Sequence, residues 1–157
     1  MNELAQRVGT ALKERGLMLV TAESCTGGWV AMAATSIAGS SDWFERGYVT
    51  YSNAAKREDL GVSEETLKRH GAVSEETARA MAAGALTHSR GQVALAITGV
   101  AGPAGGTRDK PVGTVCFAWA QGSKISSDTR RFDGDRESVR RQSVLHALHG
   151  VLQLLEK

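Results

Sequence analysis

Cysteine is scarce in this chain of 157 residues: there are two, Cys25 and Cys116. Both sit in apolar or glycine-rich settings, which excludes the disulfide framework of a small secreted domain and a zinc site built on paired ligands. A reducing cytoplasm is the expected setting. An excess of one charge is also lacking: the net charge is +2, so no nucleic-acid partner is expected. No apolar run approaches the length of a membrane span, and Met1 to Arg15 is amphipathic, without the apolar stretch of a signal peptide. These absences predict a soluble protein that starts at Met1 and has no membrane partner. What remains is ordinary for a globular chain, 41% hydrophobic and 23% charged, and predicts a single domain over residues 1–157.

Leu4, Val8, Ala11 and Leu12 recur at helical spacing with Gly16 beyond them, which predicts a helix from Asn2 to Arg15. Short apolar, β-branched runs at Leu17 to Ala22, Arg46 to Ser52 and Val93 to Thr98 read as strands, the first and last of the buried type. Helices are expected at Gly28 to Ile37, at Asn53 to Leu60 before Gly61, and from Ser74 to about Ser89. Ser63-Glu64-Glu65-Thr66 and Ser74-Glu75-Glu76-Thr77 repeat one helix-start signal, a serine cap followed by acids. Val112 to Ala120 and Lys124 to Phe132 flank Gln121-Gly122-Ser123 as a hairpin, and Asp133-Gly134-Asp135 leads into a long closing helix. Alternating helices and apolar strands predict a three-layer α/β/α sandwich with a mixed, mostly parallel sheet. In the closing helix Val144, Leu148, Val151, Leu152 and Leu155 form a core stripe. Leu145 and Leu154 widen it, which fits either a homo-oligomeric contact or a broad intramolecular one.

Thr21-Ala22-Glu23-Ser24-Cys25-Thr26-Gly27-Gly28 stands at a strand-to-helix turn and carries two possible nucleophiles. Backbone N–H groups at such a turn suit a phosphate or a developing oxyanion, which makes Thr26, Gly27 and Gly28 candidate ligand contacts. Ser24 needs a base, and His70, His88, His146 and His149 all fall on helix faces or ends. Lys56 is the alternative, if burial lowers its pKa; otherwise it is a solvated helix lysine. Cys25 competes with Ser24, and Glu23, Lys56 and Cys25 make a possible triad of their own. The loop from Gly99 to Gly106 is the richest in glycine and follows Thr98, whose hydroxyl faces a ligand or an ordinary loop. Arg136 and Arg140 share a helix face and are candidates to grip a phosphate or carboxylate. His146 and His149 lack a supporting ligand cluster, so no metal is expected.

Taken in order, Thr21 to Gly28, Gly47-Tyr48-Val49-Thr50-Tyr51-Ser52-Asn53 with Lys56, Thr98-Gly99-Val100-Ala101-Gly102-Pro103, Lys110 to Val115 and Gly134-Asp135-Arg136 resemble the CinA carboxy-terminal domain family. The resemblance covers nearly the whole chain and is nearest to stand-alone members that convert nicotinamide mononucleotide to nicotinate mononucleotide and ammonia in pyridine-nucleotide salvage. It implies a serine-lysine amidase without metal or cofactor. Ser24 would be the nucleophile and Lys56 the base, with Tyr51, Thr98, Gly99 and an arginine of the Arg136 to Arg140 segment lining the site. A second reading is a non-catalytic nucleotide-binding module of the same fold.

Overall fold

The computed structural model describes residues 1–156. Side-chain size alternates along its central strands, β1 (Leu19–Glu23), β3 (Val93–Gly99) and β4 (Thr114–Gln121). Successive residues of a strand point to opposite faces. Leu19, Leu95, Ile97, Val115, Phe117 and Trp119 therefore cover one face, while Val20, Ala22, Ala94, Ala96, Ala118 and Ala120 cover the other. On the large-residue face lie helices α1 (Asn2–Glu14), α2 (Trp29–Thr35) and α6 (Arg136–Leu155). On the small-residue face lie α3 (Asn53–Leu60), α4 (Glu64–His70) and α5 (Glu75–Thr87). This is the α/β/α sandwich expected.

Two further strands complete the sheet, β2 (Phe44–Val49) and β5 (Lys124–Arg131), in the order β2-β1-β3-β4-β5. β1 pairs in parallel with both β2 and β3, whereas β4 is antiparallel to β3 and β5 to β4. Only β4 thus opposes the common direction. One sheet edge consequently gathers the carboxyl ends of β1, β2, β3 and β5. The chain leaves β1 for β2 on one side and reaches β3 on the other, and such a switch opens a crevice outside the strand ends.

Capping explains most boundaries. Gly16, at φ 64°, and Leu17 return N–H groups to the carbonyls of Lys13 and Leu12, so Leu17 closes α1 and β1 begins only at Leu19. Ser52, Ser63, Ser74 and Asp135 each accept a backbone N–H three residues on, starting α3, α4, α5 and α6. The α5 helix meets Ala94, Ala96 and Ala118 with its own Ala78, Met81, Ala82 and Ala85, a contact of small groups that brings helix and sheet close. At Gly84 the approach to α3 is so tight that a Cβ would run into the Leu60 carbonyl. The wide stripe of α6 is consumed internally, since Leu154 is buried and Leu145 packs on the same core. That removes the reason for reading it as a self-association surface. Among the described residues no helix is long and apolar enough to cross a membrane.

Candidate active site

Ser24 is the first residue beyond β1, and its N–H continues the ladder by donating to the Ile97 carbonyl at 2.9 Å. It is 7% exposed. Lys56 arrives from α3 on the other side of the crevice, four residues before Leu60, so both point inward from one helix face. Lys56 is 1% exposed and its Nζ lies 3.0 Å from Ser24 Oγ. The same Nζ donates to the carbonyls of Thr50, at 2.9 Å, and Tyr51, at 3.4 Å. A neutral amine has two N–H groups for those carbonyls and one lone pair for the Ser24 hydroxyl. An ammonium has three donors for three acceptors, so the pocket satisfies either form. Burial lowers the Lys56 pKa from the ordinary lysine value, opposed by the neighbouring Cys25.

The other groups of the cleft come from the remaining strand ends. Thr98 and Gly99 end β3, Ala72 and Val73 lead into α5, and Asn53 and Tyr51 flank the start of α3. Ala101 and Arg136 complete the lining with Ser24, Cys25 and Lys56, around a cavity of about 170 Å³. The Thr98 hydroxyl donates to the Ala72 carbonyl at 2.8 Å, fixing the wall opposite Ser24. Gly99 lies opposite Val115, and Val100 N–H bonds Thr114, so ladder alternation turns the Gly99 N–H away from β4 toward the Ser24 side. A Cβ at Gly99 would come within 2.8 Å of the Thr114 carbonyl oxygen, which is why the strand ends on glycine. Tyr51 is 62% exposed at the mouth, where its hydroxyl accepts from Arg136 Nη2 at 3.1 Å. Arg136 Nη1 donates to the Gly102 carbonyl at 2.8 Å.

Seven of the residues singled out in the sequence, Ser24, Cys25, Tyr51, Lys56, Thr98, Gly99 and Arg136, meet at this cavity. Four do not line it. Thr26 is buried with its hydroxyl on Glu23, and Gly27 and Gly28 turn the chain with positive φ away from the cleft. The expectation that this helix start binds a phosphate is corrected by Glu23. Its carboxylate already accepts the Val30 and Ala31 N–H groups at 2.9 and 3.1 Å, and a second anion would meet it there. Arg140 is likewise spent inside the protein, donating to the carbonyls of Cys25 and Thr26. The Glu23-Lys56-Cys25 alternative fails on the same geometry: Glu23 faces α2 rather than Lys56, and burial pushes the Cys25 thiol up to about 12. None of the four histidines lines the cavity; His146, for example, packs on Phe117 and contacts Asp128.

Sequence reasoning passed over Ala72 and Val73, and met Asn53 and Ala101 only inside longer motifs. Asn53 carried a signal, since it stands three residues before Lys56 and so shares its helix face. For Ala72 and Val73 nothing local marks their place beside Ser24.

Fold and cleft together define a class, an α/β/α-sandwich enzyme with a serine and a buried lysine in contact at the carboxyl edge of its sheet. A family model described as the CinA C-terminal domain matches residues 1–155. The chain belongs to that family. It is 56% identical over 153 residues to the nicotinamide-nucleotide amidohydrolase PncC of Escherichia coli strain K12, covering 96% of this chain and 92% of that protein. The protein of the same description from Pseudomonas putida is 55% identical over 151 residues, covering 96% and 94%. Among solved structures, the competence/damage inducible protein CihA from Agrobacterium tumefaciens superposes with a TM-score of 0.95 at 48% identity, covering 99% of this chain and 95% of that one.

Proposed function

We propose that the protein is a cytoplasmic nicotinamide-nucleotide amidohydrolase of pyridine-nucleotide salvage. It cleaves nicotinamide mononucleotide to nicotinate mononucleotide and ammonia through a serine acyl-enzyme, with Lys56 as base. The observation that carries this reading is the contact of 3.0 Å between Lys56 Nζ and Ser24 Oγ in a buried cleft. The substrate follows from the relatives, which bear that activity in their names at more than half identity over nearly the full chain.

Neutral Lys56 takes the Ser24 hydroxyl proton as Oγ attacks the carboxamide carbon, made electrophilic by the cationic pyridinium ring. That cation also disfavours an ammonium at Lys56, so bound substrate reinforces what burial begins. The oxyanion meets backbone donors: the Gly99 N–H and the N–H of Cys25, whose peptide has its other side fixed by Gly27 N–H on the Ser24 carbonyl. Lys56 then gives its proton to the departing nitrogen, the C–N bond breaks and ammonia leaves. Water attacks the ester as Lys56 takes its proton, and Ser24 recovers a proton from Lys56 when the carboxylate is released.

A cavity of about 170 Å³ is smaller than the roughly 300–1,000 Å³ of a typical ligand pocket, so it receives the carboxamide end of the ring only. Ribose and 5′-phosphate extend past Tyr51 to the Arg136 guanidinium at the mouth. The test is ammonia release from nicotinamide mononucleotide by the wild-type chain and by Ser24→Ala. Release by the wild type alone supports the reading; binding without release, or turnover by Ser24→Ala, refutes it.

A further inference from the structure

Two charged side chains beside the nucleophile take no part in these proton transfers. We infer that Glu23 and Arg140 are positioning residues that hold the Ser24 turn by its two polarities, the carboxylate gathering its donors and the guanidinium its carbonyls. The inference rests on the serine-nucleophile reading above.

Glu23 is fully buried, and both its oxygens are engaged. Oε1 accepts the Thr26 hydroxyl at 2.6 Å and the Val30 N–H at 2.9 Å, and Oε2 accepts the Ala31 N–H at 3.1 Å. Arg140 approaches from α6, more than a hundred residues along the chain, with Nε on the Cys25 carbonyl at 3.0 Å and Nη2 on that of Thr26 at 3.1 Å. Its guanidinium lies over the Trp29 ring, 5.5 Å from the ring centre, at the start of α2. Thr26 is therefore gripped twice, by its hydroxyl and by its carbonyl. In a trans peptide the C=O and N–H point opposite ways, so drawing the Cys25 and Thr26 carbonyls toward Arg140 fixes the planes that follow Ser24.

Such fixing matters because nucleophile and base stand on different elements. Ser24 sits at the end of β1 and Lys56 on α3, and only the rigidity of each element maintains their contact. A misplacement of about 1 Å in a reacting group costs on the order of 10²-fold in rate. Arg140 does not line the cleft, whereas Arg136, one turn earlier on α6, does. The two arginines thus divide the work, one at the mouth for substrate and one behind the turn for geometry.

The test uses the full chain and two readouts. The first is steady-state kinetics with nicotinamide mononucleotide. The second is the rate at which a small alkyl fluorophosphonate, which has no nucleotide portion, labels Ser24. For Glu23→Gln, whose amide sets a donor against a turn N–H, and for Arg140→Lys, whose ammonium cannot span both carbonyls, kcat falls about 10- to 100-fold while KM changes by less than about threefold. Labelling slows in proportion. If Glu23→Gln does not fold, as its circular dichroism would show, the half-buried Arg140→Lys decides alone. A raised KM at unchanged kcat in Arg140→Lys would make Arg140 a substrate ligand and overturn the inference, as would labelling at the wild-type rate. Failure of the underlying reading looks different: the wild-type chain itself would not label at Ser24.

Discussion

Replacing Lys56 by methionine keeps a side chain of similar reach at a position that is 1% exposed and removes the amine 3.0 Å from Ser24 Oγ. The loss of a general base typically costs about 10²–10⁴ in rate, equivalent to about 2.7–5.5 kcal/mol of barrier. This site belongs at the upper end, about 10³–10⁴, because no histidine lines the cavity to substitute. The pH dependence sharpens the expectation. Below its depressed pKa Lys56 is an ammonium and cannot accept a proton, so wild-type kcat/KM rises as pH passes that value, which lies below the usual 10.5. Lys56→Met has no such limb, only a flat residual rate. A coupled ammonia assay between mildly acidic and alkaline pH, with thermal melts to confirm folding, measures both. A folded Lys56→Met enzyme that retained the wild-type rate, or the same alkaline-rising limb, would refute the assignment of the base.

Arg136→Ala should raise KM for nicotinamide mononucleotide about 10- to 100-fold, the worth of a charge-assisted contact of about 1.5–3 kcal/mol, while the phosphate-free riboside is little affected. Parallel kinetics with the two substrates check this. Cys25→Ala should keep kcat within a few-fold, because burial holds the thiol at about 12 and no thiolate is available; resistance of wild-type activity to a thiol reagent is the companion measurement. Gly84→Ala places a methyl group against the Leu60 carbonyl and should destabilise by about 1–3 kcal/mol in urea unfolding. Because Leu60 shares α3 with Lys56, the same change should lower kcat, and a destabilised Gly84→Ala with full activity would show that α3 does not transmit the shift.

The sheet was legible where strands are buried on both faces. Val93 to Thr98 falls within β3, and Asn53 to Leu60 matches α3 end to end, because Ser52 and Gly61 mark its limits. The edge strand was less so. Arg46 to Ser52 was expected and β2 runs from Phe44 to Val49: the Thr50 N–H still bonds the Glu23 carbonyl, but the Thr50 and Tyr51 carbonyls turn to Lys56. The strand ends bring together the segments of Ser24, Lys56 and Thr98, but the pairing of Ser24 with Lys56 was legible only through the family resemblance. The separate duties of Arg136 and Arg140 were not legible, because their spacing puts both on one face and only the packing of α6 against α2 decides which reaches the mouth. Glu23 was read only as a member of a possible triad, and its hold on α2 was not legible: the N–H groups it caps are seven and eight residues on, outside the three-residue spacing of a capping box.

The unequal faces of the sheet also divide the molecule by its tolerance of change. Methyl groups of alanine separate sheet from α5 on the side that carries Lys56, so any enlargement there is conveyed to the base through α5 and α3. Opposite them the Leu, Phe and Trp side chains under α1 and α6 can be exchanged for others of like volume, whereas Ile97, whose carbonyl accepts the Ser24 N–H, stands beside the nucleophile. A search for hardier variants of this enzyme should therefore vary the large-residue side away from Ile97 and Cys25 and leave the alanine side as it stands.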